Sequence, residues 1–172
     1  MAAALRTAAP AGKDSVVIIS ADAMAPHQAV VSVMEAARRV GLQQVEIDQQ
    51  GNVLGWRPGK SAKALVIAAH LDISFAPGVN TKVRKEGKRW FAPGIGDDSR
   101  GLAALLAIVE ALNHAGIETE KTILFVANVG EEGLGDLNGV RYLFGQSPHR
   151  ARLDSFISID GTLPATPWHD RQ

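Results

Sequence analysis

"AKALVIAAHLD", residues 62–72, decides the fold. From Ala64 to Ala69 the side chains are apolar without interruption, and three of the six are Leu, Val and Ile. A strand with one wet face would alternate apolar and polar residues. An unbroken β-rich run of this length predicts a strand buried on both faces, as in a sheet covered by helices on each side. The run then stops at His70 and Asp72. In extended chain, residues i and i+2 point the same way, so an imidazole and a carboxylate leave the end of this strand together.

Working outward, the pattern returns in "KTILFVANV" (121–129), a second buried strand, and in "DSFISID" (154–160), a third apolar one. "SVVIIS" (15–20) also reads as a strand. Helical spacing lies between these runs. Leu102, Leu105, Leu106, Val109 and Leu112 make one helix face, with Gly116 just past its end. Val30, Val33, Met34, Ala37 and Val40 make another, ended by Gly41. A short helix over 136–144 is expected to be capped by Asp136. "VEID" and "NVLGW" flank "QQG" as a hairpin, and "TKVRKEGKRWFAPG" turns as a second one at Glu86–Gly87. Strands alternating with helices predict an α/β layered domain.

Composition narrows the chemistry. Eighteen basic residues balance eighteen acidic ones, so no electrostatic footprint for nucleic acid or an anionic membrane is present. The sequence has no cysteine, which excludes disulfides and thiolate metal sites. Any metal must be held by His, Asp or Glu, donors that suit zinc, manganese or cobalt. No apolar run approaches a membrane span, and Arg6 interrupts the alanine-rich start before a signal-peptide core can form. A cytoplasmic location is the expectation.

Each apolar strand ends in acidic residues or histidine: "AAHLD", "VANVGEEG", "ISIDG". Strand ends are where open α/β sheets bind ligands. A fourth cluster, Asp97 and Asp98 in "GIGDDSRG", opens the apolar helix. Adjacent carboxylates need not share a direction, so one can bind a metal while the other turns away. Capping accounts for one acidic residue there, but two charges beside an apolar helix are costly unless compensated. Glu131 and Glu132 invite a similar division, one as ligand and one as proton acceptor. Each cluster alone also fits a solvated acidic loop or a cap. Two tempting motifs fail. "IDGTL" has Ser158 where a phosphatase nucleophile would be Asp, and "PGKSA" (58–62) has Leu54 where a phosphate loop needs glycine.

In chain order, "AHLD", "GIGDDSRG", "VGEEGLGD" and "SIDG" resemble the zinc-dependent exopeptidase family of peptidase T, glutamate carboxypeptidase, acetylornithine deacetylase and succinyl-diaminopimelate desuccinylase. The likeness covers roughly residues 40–162, the first part of a typical member. It implies a three-layer sandwich with a mixed central sheet flanked by helices, truncated at its C-terminal side. It implies that His70 binds the first metal, Asp97 bridges both, Asp160 completes the first and Glu132 binds the second. Glu131 would be general base and acid, and Asp72 would orient His70. The peptide bond beside the bridging residue, Asp97–Asp98, would be cis. The implied cofactor is zinc, one or two ions per chain, with cobalt or manganese as substitutes.

The implied activity is metal-dependent hydrolysis of peptide or N-acyl amide bonds, of exopeptidase, aminopeptidase or aminoacylase type. Two metals would share a hydroxide, and Glu131 would pass its proton to the leaving amine. The substrate would be a small peptide or N-acyl amino acid, with no nucleic acid or membrane partner. The expected organisation is a tail over 1–14, a partial catalytic domain over 15–163 and a tail over 164–172. The family's downstream histidine ligand and its dimerising lid domain have no counterpart here, so oligomeric state stays undetermined. His27, His114, His149 and His169 read as surface, helix-end or tail residues rather than a replacement ligand. Two alternatives stay open: a metal-binding remnant or interaction module without turnover, and a plain α/β domain with solvated acidic loops.

Overall fold

The computed structural model describes residues 26–161 except Gln43, Ser74, Ala76 and Pro77. The strand expected over 15–20, the two tails and His169 lie outside the described residues. The remaining elements appear in the expected order. Helix α1 (Pro26–Arg39) leads into strands β1 (Gln44–Ile47), β2 (Val53–Arg57) and β3 (Ser61–His70). The hairpin β4 (Arg84–Glu86) and β5 (Arg89–Phe91) follows, then an irregular turn over Ile95–Ser99 and helix α2 (Arg100–His114). Strand β6 (Lys121–Asn128), helix α3 (Asn138–Gly145) and strand β7 (Leu153–Ser158) complete it.

Five strands form one sheet in the order β1-β2-β6-β3-β7. β1 and β2 pair antiparallel, as do β2 and β6, whereas β3 runs parallel to both β6 and β7. The sheet is therefore mixed. Its alternation explains why "ALVIAA" has no polar break. Ile67 and Ala69 face one side with Val53, Ile123, Phe125 and Ala127, and there α1 and α2 bring Val30, Val33, Leu102, Leu105 and Val109. Val66 and Ala68 face the other side with Leu54, Leu124 and Val126, where α3 inserts Leu143. Helices on both faces make three layers. Leu143 is fully buried, which on apolar area contributes about 2 kcal/mol.

The parallel register positions the site. His70 pairs with Asn128, and Ala68 pairs with Ser158. The three parallel strands thus end level, and the chain leaving each one enters the same rim of the sheet. Asn52, wholly buried at the β1–β2 turn, secures that rim. Its amide nitrogen donates to Asp48 at 2.7 Å and to the Gly139 carbonyl at 3.0 Å. Its side-chain oxygen accepts the Val129 N–H at 3.0 Å. One side chain joins the turn, the exit of β6 and the start of α3.

Two expectations need correction. β7 is an apolar strand but not a buried one: Phe156 and Ile157 are 41% and 48% exposed. Among the described residues it pairs only with β3, at the edge of the sheet. Asp136 does not cap α3, which starts at Asn138. Asp136 and Leu137 both adopt left-handed backbone (φ 49° and 58°), and Asp136 pairs with Arg141 instead. The first N–H groups of α3 are satisfied by loop carbonyls, Asn138 donating to Gly130 and Gly139 to Val129. Among the described residues, no helix is long and apolar enough to cross a membrane.

Candidate metal centre

His70, the last residue of β3, is 3% exposed and is the hub of the rim. Its Nδ1 lies 2.9 Å from the backbone carbonyl of Asp72. A carbonyl only accepts, so Nδ1 carries the proton and Nε2 is the atom presented to the site. Around Nε2 stand Asp97 Oδ1 at 2.8 Å, Asp160 Oδ1 at 3.6 Å and Glu131 Oε2 at 3.9 Å. Two groups have donor atoms close enough to share one ion: His70 with Asp97 and Asp160, and His70 with Glu131 and Glu132. Four segments far apart in sequence have converged.

The turn Ile95–Ser99 delivers Asp97, and the Asp97–Asp98 peptide is cis. The two side chains part. Asp97 is half-exposed against His70 Nε2, while Asp98 is 1% exposed. Asp98 Oδ2 accepts the His70 backbone N–H at 3.0 Å, and its Oδ1 accepts the Gly101 N–H at 3.0 Å. Asp160 reaches the centre from beyond β7. Gly161, next to it, packs directly on Asp97, because a Cβ there would come within 2.5 Å of the Asp97 Cβ.

Asp72 acts differently from the expected pairing of carboxylate with imidazole. Its carboxylate is 3.9 Å from His70 Nδ1 and turns to the next loop instead. There it accepts the backbone N–H of Glu131 at 3.1 Å and of Glu132 at 2.9 Å. Two aligned amides outcompete one ring nitrogen, and the Asp72 carbonyl takes the ring instead. Asp72 still bridges the histidine and glutamate loops, but through two separate groups.

The electrostatics follow from this crowding. Burial pushes the Asp98 carboxyl up to about 6, against the stabilising N–H of His70 and Gly101. Burial also raises Glu131, helped by Asp160, Glu132 and Asp72 and opposed by His70. For His70, burial pulls downward, but contact with Asp97, the Asp72 carbonyl and nearby carboxylates outweighs it, and the imidazole stays charged above its ordinary value. Without an ion, that proton on Nε2 faces the carboxylates. An imidazole aimed at oxygen donors, with no cysteine in the chain, is a donor set that fits zinc, cobalt or manganese.

The other described histidines lie apart from these groups. His114 is in the last turn of α2. His149 pairs with Glu46 at 3.1 Å and packs its ring on Trp56, so it is a packed residue rather than a loose surface one. His27 falls inside α1 rather than in a loop. Sequence reasoning missed Asn52, which looks like an ordinary turn residue in "QQGNV", and it did not foresee the two bonds of Asp98. The hint of burial is one-sided: the apolar strand that follows Asn52 and the apolar helix that begins shortly after Asp98.

The family model of peptidase family M28 matches residues 52–168. A model of the biopolymer transport protein ExbD/TolR matches residues 1–51. Within that stretch α1 and β1 pack against the same core as the rest of the sheet, and the match is too short to assign the chain. The chain is similar to Carboxypeptidase G2 of Pseudomonas sp. (strain RS-16), 32% identical over 83 residues, which are 47% of this chain and 20% of that protein. It is similar to the uncharacterized protein YgeY of Escherichia coli (strain K12), 28% identical over 144 residues, 76% of this chain and 34% of that one. The chain thus spans between a fifth and about a third of the length of these curated relatives. The fold is that of aminopeptidase PepT from Bacillus cereus ATCC 10987, with a TM-score of 0.64 at 18% identity over 85% of this chain and 41% of that chain.

Proposed function

The chain belongs to peptidase family M28, and from that membership we propose that it carries the catalytic centre of a metal-dependent hydrolase of peptide or N-acyl amide bonds. One observation carries the reading: a single buried imidazole, His70, whose Nε2 meets carboxylates from three other segments between 2.8 and 3.9 Å away. A solvated acidic loop has no reason to gather them there.

His70, Asp97 and Asp160 would hold one ion, and Asp97 with Glu132 would contribute to a second. A divalent cation bound there supplies a Lewis acid for the scissile carbonyl and lowers the pKa of water towards about 7. The protein's own part is proton handling and orientation. Glu131 takes a proton from the attacking water and returns it to the leaving nitrogen. Its raised pKa, set first by burial, suits a group that must both accept and return a proton. Asp72 holds the Glu131–Glu132 backbone in place and fixes the tautomer of His70. Zinc is the expected ion, with cobalt or manganese able to replace it, and small peptides or N-acyl amino acids are the expected substrates.

The test pairs a metal count with hydrolysis of dipeptides and N-acetyl amino acids, before and after chelation. Bound zinc together with chelator-sensitive cleavage supports the proposal. A Glu131→Gln variant should keep its metal and lose turnover. Bound metal with intact substrate after long incubation would leave a metal-binding remnant, and no bound metal would end the reading.

A further inference from the structure

We propose that Asp98 is a positioning residue, whose buried carboxylate fixes His70 for an ion it never touches. The inference rests on the metal-centre reading above and adds a role for a group that the hydrolytic scheme leaves unused.

Both oxygens of Asp98 are already taken. Oδ2 accepts the N–H of His70 at the end of β3, and Oδ1 accepts the N–H of Gly101 in the first turn of α2. With 1% exposure the carboxylate has no face left for a ligand. It therefore ties the strand that ends in His70 to the helix that follows Asp97, and so sets the distance between those two residues. The space for this was kept open. A Cβ on Gly101 would lie 2.1 Å from Asp98 Oδ1, so any larger residue there would expel the carboxylate.

Helix capping alone does not account for the arrangement. A cap needs one acceptor and works at the surface, where an acidic side chain costs nothing to desolvate. Asp98 is instead buried, and half of its bonding goes to His70 rather than to the helix. The cost is understandable if the benefit is a preformed His70–Asp97 pair, because groups that orient metal ligands typically change affinity by about 10–100-fold.

The experiment measures zinc affinity by chelator competition and the visible spectrum of the cobalt-loaded protein. Wild type is compared with Asp98→Asn and with Leu143→Ala, which destabilises the opposite face of the sheet. In Asp98→Asn one oxygen is replaced by an NH2 group that faces an N–H. The expected result is roughly 10–100-fold weaker zinc binding and an altered cobalt spectrum, with neither change in Leu143→Ala. An Asp98→Asn protein with wild-type affinity and spectrum overturns the inference, and so does an equal change in Leu143→Ala. Wild type that binds no zinc would instead remove the metal-centre reading on which this one stands. If Asp98→Asn does not fold, hydrogen exchange on metal-free wild type decides. The His70 and Gly101 amides should be protected together, and a Gly101 amide exchanging as a free first-turn N–H overturns the proposal.

Discussion

Replacing Asn52 by alanine should destabilise the protein by up to about 4 kcal/mol, although Asn52 touches no residue of the metal centre. The figure comes from the partners left behind. Asn52 is wholly buried, and its side chain serves the Val129 N–H, the Gly139 carbonyl and Asp48. Asp48 is only partly buried and can turn to water. The other two are backbone groups at the exit of β6 and the start of α3. Each buried group stranded without a partner costs roughly 1–3 kcal/mol. The Val129 N–H is stranded outright, whereas the Gly139 carbonyl keeps its place in the α3 ladder and loses only a second bond, roughly 1 kcal/mol. Together they give up to about 4 kcal/mol, a large part of the roughly 5–15 kcal/mol that holds a domain together. At roughly 2–4 °C per kcal/mol for a chain of this size, the melting temperature should fall by up to about 8–16 °C. Urea unfolding followed by circular dichroism, in chelator, measures it directly. An unchanged slope with a lower midpoint is the expected form. A loss below about 1 kcal/mol would refute the reasoning, since water would then be replacing the side chain without penalty.

Leu143→Ala removes the only fully buried α3 side chain in the second core layer and should cost about 2–5 kcal/mol by denaturant titration; a change under 1 kcal/mol would mean that α3 is not anchored there. Asp97→Asn should lower metal affinity more than Asp98→Asn, because Asp97 faces His70 Nε2 while Asp98 bonds only backbone; equal losses by isothermal titration would show the ligand wrongly chosen. Metal-free protein should become less stable as pH rises from about 4 to about 7. The Asp98 carboxyl is pushed up to about 6, so the native state keeps a proton that the unfolded chain has released. That advantage disappears as pH passes through about 6, and from an ordinary carboxylate value its full extent is about 3 kcal/mol. His70 is also raised; its contribution is present below the ordinary imidazole value and is lost on passing the higher one. Melting temperatures in chelator check this, and a rise across the same interval would contradict it. Zinc binding should strengthen over that interval, because the ion must displace the proton on His70.

The central strands were legible because burial on both faces leaves an unbroken apolar run, and "ALVIAA" can hardly be anything else. The same logic misled at β7. "FISI" declares that a strand is apolar but not how many neighbours it has, and an edge strand can be as apolar as a central one. The convergence was legible as three strand-end clusters and one at a helix start, since the parallel register brings the ends of β3, β6 and β7 level. What the residues did with their second hydrogen-bonding group was not legible. Asp72 spends its carboxylate on two amides and lends His70 a carbonyl, a choice fixed by how the glutamate loop approaches. Asp136 lost its cap because carbonyls from Val129 and Gly130 arrived first, a tertiary contact with no local trace.

Asp160 rides on the least sheltered wall of the centre, for among the described residues β7 is held on one flank only and its outer residues are exposed. Breathing of that rim withdraws one donor while His70 and Asp97, rooted in β3 and the turn before α2, stay where they are. An ion bound there would then escape through a local event far cheaper than unfolding the protein, and a chelator should strip the centre at the tempo of the fraying margin.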